Sequence, residues 1–169
     1  LPVDIDNDGD LDIVAGNLGL NSRLKATSAE PVTMYYNDFD ENGKKEQVLT
    51  YFLNGKEIPF ANKGELEKQL PFLKKKFLYA DDFAKAKLTD IFSKSMLSNS
   101  VTYRADYFEN AVFINDGQLN FTMKSFPWEA QLTSYRTASI LRINDKQLPD
   151  IFLGGNFYAN NIQMGRYDA

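Results

Sequence analysis

Short runs of β-branched and aromatic residues, bounded by Asp, Asn and Gly, recur along the chain. They occupy residues 11–16 (LDIVAG), 32–36 (VTMYY), 46–52 (EQVLTYF), 111–114 (AVFI), 138–141 (ASIL) and 151–156 (IFLGGN). Each is only a few residues long, as strands are and helices are not. Two-residue turn signals join some of them. Asn54-Gly55 separates Tyr51-Phe52-Leu53 from Ile58-Pro59-Phe60, and Asp116-Gly117 separates 111–114 from 119–122. The pattern predicts a mainly β fold made of antiparallel sheets of a few strands each. One stretch breaks the rhythm. Leu66, Leu70, Leu73 and Phe77 fall at i, i+4, i+7 and i+11, with Pro71 placed to open a second short helix. Ala84, Leu88, Ile91 and Phe92 fall at i, i+4, i+7 and i+8, after Asp81 or Asp82 as a cap. Short helices are therefore predicted near 64–77 and 82–94, within a helical insertion near 64–98. Lys74-Lys75-Lys76 reads as its solvated face.

What joins the strands is more specific than the strands. Residues 4–12 (DIDNDGDLD) and 38–46 (DFDENGKKE) both read D-x-D-x-[DN]-G-x-x-[DE]. In a tight loop, positions 1, 3 and 5 aim alternate side chains at one centre. Gly at position 6 permits the sharp turn, position 7 offers its carbonyl, and an acid at position 9 closes the shell from the next strand. An all-oxygen donor set suits a hard cation taking about 6–8 oxygens, which is Ca²⁺ rather than Mg²⁺. An EF-hand shares the first six positions but needs Glu at position 12 between two helices. Ala15 and Leu49 stand there, and strand-like runs follow. The plainer alternative is an Asx/Gly-rich turn carrying solvated acids. The pattern returns in weakened form at 142–150 (RINDKQLPD), where Arg142 and Lys146 occupy positions 1 and 5. A cation does not ligate a cation, so this third loop is expected to be ion-free, with a basic charge near Asp150 in the ion's stead. Loop starts at 4, 38 and 142 mark repetition at a few tens of residues, the signature of a propeller, solenoid or array.

Composition narrows the chemistry. The 169 residues include no Cys and no His, which removes disulfides, Cys/His zinc sites, Cys nucleophiles and Ser-His-Asp triads. The net charge of −4 argues against a nucleic-acid partner, which calls for a basic stripe. No run of about 20 apolar residues is present to span a membrane. Nine of the 23 acids sit in the two loops, leaving 14 acids against 17 bases elsewhere. The acidity is local, as metal binding requires. The chain opens Leu1-Pro2-Val3 directly onto the first loop, so it reads as part of a longer protein.

The loop followed by an apolar strand and Gly resembles the FG-GAP/VCBS repeat of β-propellers, whose calcium loop joins the first two strands of a blade, as in integrin α-chain heads. Residues 107–121 (YFENAVFINDGQLNF) resemble the outer-strand signature of the same repeats. With 16–21 (GNLGLN), 155–158 (GNFY) and 165–169 (GRYDA), the whole chain is similar to bacterial VCBS-repeat surface proteins related to the ASPIC/UnbV and cartilage-acidic-protein group. The resemblance implies ligands Asp4, Asp6, Asp8 and Asp12 with the Asp10 carbonyl, and Asp38, Asp40, Asn42 and Glu46 with the Lys44 carbonyl. It implies two Ca²⁺ sites in an open arc of about three partial blades: 1–31, 32–125 carrying the helical insertion, and 133–169. It further implies an exported location (extracellular, cell-surface or periplasmic), and a non-enzymatic protein- or glycan-binding role. Bare sheet edges would invite self-association. The competing reading is a polysaccharide hydrolase or lyase using acids outside the loops: Asp81, Asp82, Asp106 or Glu129. Tyr103, Tyr107, Trp128, Tyr135, Phe157 and Tyr158 could stack on sugars, although packing between sheets accounts for them as well.

Overall fold

A computed structural model describes residues 1–143 and 148–155 of the chain. The fold is mainly β, with antiparallel sheets, and the chain divides into two compact units. One comprises Leu24–Tyr107. The other comprises Leu1–Arg23 together with the described residues from Phe108 onward.

In the unit 24–107, strands β3 (Val32–Asn37), β4 (Glu46–Leu53), β5 (Lys56–Pro59) and β6 (Val101–Ala105) form one sheet in the order β5-β4-β3-β6. Asn54 and Gly55 both take positive φ, 52° and 73°, and the Leu53↔Lys56 pairing closes the two-residue turn that the sequence signals. Five short helices follow β5: α1 (Lys63–Gln69), α2 (Leu73–Lys76), α3 (Ala80–Lys85), α4 (Leu88–Ile91) and α5 (Lys94–Ser98). They divide more finely than the two predicted helices. The Asn62 side chain caps α1 by accepting from the Glu65 N–H. Pro71 lies in the break before α2, ahead of the Phe72 cap and not in the helix's first turn as the sequence suggests.

Two local expectations fail in α3. Its cap is the extended Tyr79, and Asp81 and Asp82 lie inside its first turn, where the helix dipole favours acids. Ala84 is exposed, and the larger Phe83 takes the buried position. The core of this unit joins Phe39 and Val48 to Leu66, Leu70, Leu73, Phe77, Phe83, Leu88, Ile91 and Phe92. Phe39 and Phe92 pack against each other with ring centroids 4.6 Å apart and planes tilted by 45°. Lys74, Lys75 and Lys76 are exposed, and the Lys76 ammonium donates to the Ile91 carbonyl.

In the other unit, β1 (Pro2–Val3), β2 (Asp12–Ala15), β7 (Ala111–Asn115) and β8 (Phe121–Ser125) form a sheet in the order β1-β2-β7-β8. Here the expected 32–125 blade is corrected. Residues 111–125 pair with β2, through Ile13↔Phe113 and Val14↔Val112, and not with the sheet of 32–59. Side chains fix this union. Asn110 is fully buried, accepts from the Asn17 N–H and donates to the carbonyls of Ala130 and Thr133. A two-stranded sheet, β9 (Thr137–Leu141) with β10 (Asp150–Gly154), completes the described residues of this unit.

Candidate metal centres

The first loop (4–12) joins β1 to β2, and the second (38–46) joins β3 to β4. Although they share only their acidic and Gly positions, they fold alike. Position 4 is left-handed in both, at Asn7 (φ 62°) and Glu41 (φ 59°), and so is the position-6 glycine, at Gly9 (φ 100°) and Gly43 (φ 86°). A Cβ on either glycine would meet nothing within 4 Å. Glycine is thus required there by backbone angle and not by space.

The position-1 carboxylate folds the turn. Asp4 Oδ2 accepts from the Gly9 N–H at 3.1 Å, and Asp38 Oδ2 from the Gly43 N–H at 2.7 Å. At position 5, Asp8 Oδ1 accepts from the Asp10 N–H and Asn42 Oδ1 from the Lys44 N–H, at 3.1 and 2.8 Å. The position-9 acid ties the loop shut. Asp12 Oδ2 accepts from the Ile5 N–H at 2.9 Å, and Glu46 Oε2 from the Phe39 N–H at 3.0 Å.

This scaffold converges acids. Carboxylate oxygens of Asp4, Asp6 and Asp8 lie within 4.8 Å of one another, as do those of Asp38, Asp40 and Glu46. Asn42 occupies in the second loop the place of Asp8 in the first. Asp12 is not brought into the first group. It is a shorter acid than Glu46, and its other oxygen, Oδ1, accepts from the Asn115 N–H at 2.8 Å. Asp10 and Lys44, expected to contribute carbonyls, donate their N–H groups inward to position 5 as described.

One oxygen in each group, Asp4 Oδ1 and Asp40 Oδ1, is buried without a hydrogen-bond partner. A buried, unpaired carboxylate oxygen is costly unless a cation meets it. The residues therefore fit a hard cation. The Asp10 side chain, which the sequence reading did not single out, also holds an unpartnered buried oxygen, Oδ1. Its Oδ2 lies 2.8 Å from where a Cβ on Gly117 would stand, and the β7–β8 turn needs glycine there because Gly117 takes a φ of 77°. Electrostatics agree with the crowding. Asp6 and Asp10 have their pKa raised above the usual carboxylate range, by desolvation first and then by neighbouring acids, Asp8 foremost.

Asn115 lies in the stretch 107–121 that resembles the outer-strand signature, although its hold on the first loop was not expected. It is buried, its Nδ2 donates to the Leu11 carbonyl and its Oδ1 accepts from the Leu119 N–H, so it clamps the first loop to the β7–β8 turn. The signal for it was its place in that stretch, beside Asp116-Gly117. In the third loop, the Ile143 N–H donates to Asp150 Oδ2 at 3.2 Å, which repeats the position-2 to position-9 tie of the other two. Lys146 lies outside the described residues, and with it the expectation of an ion-free third loop. Residues 156–158 and 165–169 lie outside as well.

The four acids of the enzymatic reading are all exposed. Asp81 pairs with Lys85 one helical turn away. None of the four joins a group of three converging acids among the described residues. Tyr103 and Trp128 are exposed, while Tyr107 and Tyr135 are half-buried. No helix among the described residues is long and apolar enough to cross a membrane. No protein-family model, curated protein or solved structure matches the chain.

Proposed function

We propose that the chain is a calcium-binding, non-enzymatic segment of an exported β-propeller protein, used to bind a protein or glycan partner. Asp4, Asp6 and Asp8 would hold one ion, and Asp38, Asp40, Asn42 and Glu46 the other. Asp12 acts beneath the first site as the tie that keeps its loop closed. The observation that carries the reading is the pairing in each loop of three converging carboxylates with one buried, unpartnered carboxylate oxygen. The four-stranded antiparallel sheet in sequential order β1-β2-β7-β8, with the first loop at its β1–β2 hairpin, supports the propeller-blade part. The sheet of 32–105 fits a blade less simply, because β6 joins beside β3 and not beyond β5. Its edge strand β6 and the edge strand β8 are almost wholly exposed, which leaves them open to a further strand.

Extracellular calcium modules bind with Kd of about 10⁻⁴–10⁻³ M, so export matches the ion supply. At about ten times Kd, each site adds ~1.4 kcal/mol to folding stability. Thermal unfolding in millimolar Ca²⁺ against chelator tests the reading. Tm is expected to fall on chelation, and Asp8→Ala is expected to shrink that fall. A Tm indifferent to chelator refutes calcium binding, and an equal response to Mg²⁺ refutes the assignment to calcium.

A further inference from the structure

The second loop contains the dipeptide Asn42-Gly43, both residues exposed. The geometry points to Asn42 as a self-deamidation site, at which the chain converts its one neutral position-5 ligand into a carboxylate. The reaction is intramolecular. The Gly43 amide nitrogen attacks Asn42 Cγ, the C–N bond to the side-chain amide breaks, and ammonia leaves a five-membered imide. Water then opens the imide to aspartate or its β-linked isomer. The overall change is asparagine plus water giving aspartate plus ammonia, with no oxidant or reductant.

Three features favour this bond. Asn42 Oδ1 accepts from the Lys44 N–H at 2.8 Å, an Asx turn that folds the side chain over the Gly43 peptide. The same N–H stands where negative charge develops on that oxygen as Cγ is attacked. On the other side, the Gly43 N–H donates to Asp38 Oδ2 at 2.7 Å, so a carboxylate is in place to take the proton and return it to the leaving nitrogen. Finally, nothing lies within 4 Å of a Cβ position on Gly43, so water has access and ammonia has an exit.

The chain holds its own comparison. Asn54-Gly55, in the β4–β5 turn, is equally exposed but has no counterpart to either hydrogen bond among the described residues. What conversion does to the loop rests on the calcium reading: the α-linked product would give position 5 the carboxylate that Asp8 supplies in the first loop, whereas the β-linked isomer would reroute the backbone there. The conversion itself does not rest on that reading.

The test is peptide mass mapping of the folded chain, incubated in chelator at mildly alkaline pH. The peptide carrying Asn42 is expected to gain the amide-to-acid mass several-fold faster than the peptide carrying Asn54. In denaturant the two rates should converge, because both are Asn-Gly. Asp38→Asn should slow conversion at Asn42 and leave Asn54 unchanged. Conversion at Asn54 as fast as at Asn42 in the folded chain overturns the proposal, and so does an Asp38→Asn chain that converts Asn42 at the original rate or faster. Separately, Asn42→Asp should bind Ca²⁺ more tightly than the parent. If neither chain binds Ca²⁺, the calcium reading falls while the mass measurement still decides the chemistry.

Discussion

Asp12 and Glu46 hold the same place in their loops, and both are buried, yet they use their oxygens differently. Both Asp12 oxygens accept backbone N–H groups, from Ile5 and Asn115. Glu46 gives one oxygen to Phe39 and stays within reach of Asp38 and Asp40. Asp12→Ala strands one buried donor, the Asn115 N–H, costing about 1–3 kcal/mol, and one part-buried donor, the Ile5 N–H, costing less. The loss should persist in chelator, which denaturant unfolding with and without Ca²⁺ would reveal. Asp12→Asn, which keeps one acceptor oxygen, should lose less.

A second expectation concerns pH. Asp6 and Asp10 have raised pKa in the folded chain. Their stabilising contribution is therefore fully present below the ordinary value of 3.8 and is lost as pH rises through the raised values. In chelator, Asp10→Asn should remove part of that loss, so the variant gains stability relative to the parent as pH climbs above 3.8. Parallel Tm curves for the two chains over that range would contradict the assignment.

At the scale of elements, what the sequence made legible was local. The two loops, the Asn54-Gly55 hairpin and the position of the helical insertion all declare themselves within a dozen residues, through glycine, turn residues and apolar spacing. Register within a short helix is weaker information. A stripe starting at Ala84 and one starting at Phe83 are hard to separate over six residues, and only packing against Phe77 and the rest of that core selects Phe83. The insertion holds most of that core, so its energetics should follow burial. Leu66→Ala, at a site only 1% exposed, should cost about 2–5 kcal/mol in denaturant unfolding. Gly43→Ala meets no atom, yet imposes a left-handed residue costing roughly 1–2 kcal/mol. A loss there without any cavity or clash would confirm that backbone angle is the constraint.

At the scale of the whole molecule, the sequence was least informative where pairing is most distant. Nothing near Ile13 announces that Phe113 is its partner, because the partner lies about a hundred positions on and the pattern of each strand is compatible with several neighbours. The same holds for Asn110: its stretch resembles an outer-strand signature, but its partners at Asn17 and Thr133 lie far off in sequence. The expected 32–125 boundary was misplaced for this reason, while the converging acids of the two loops, being neighbours in sequence, were legible. The interruption of one sheet by the unit 24–107 has a consequence in time. During synthesis, β1 and the first loop emerge early but have no second half to join until residues 111–125 are made. The intervening unit has its own core and pairs Val32 with Ala105, so all it needs is available sooner. Distant pairing is slow because the chain must close a long loop before any contact rewards it. Pulse-labelled hydrogen exchange during refolding should accordingly protect β3 and β4 before β2 and β7; simultaneous protection would show that the two units fold as one. The acid group of the first loop would then come to rest on a finished sheet only after that of the second loop already has one beneath it.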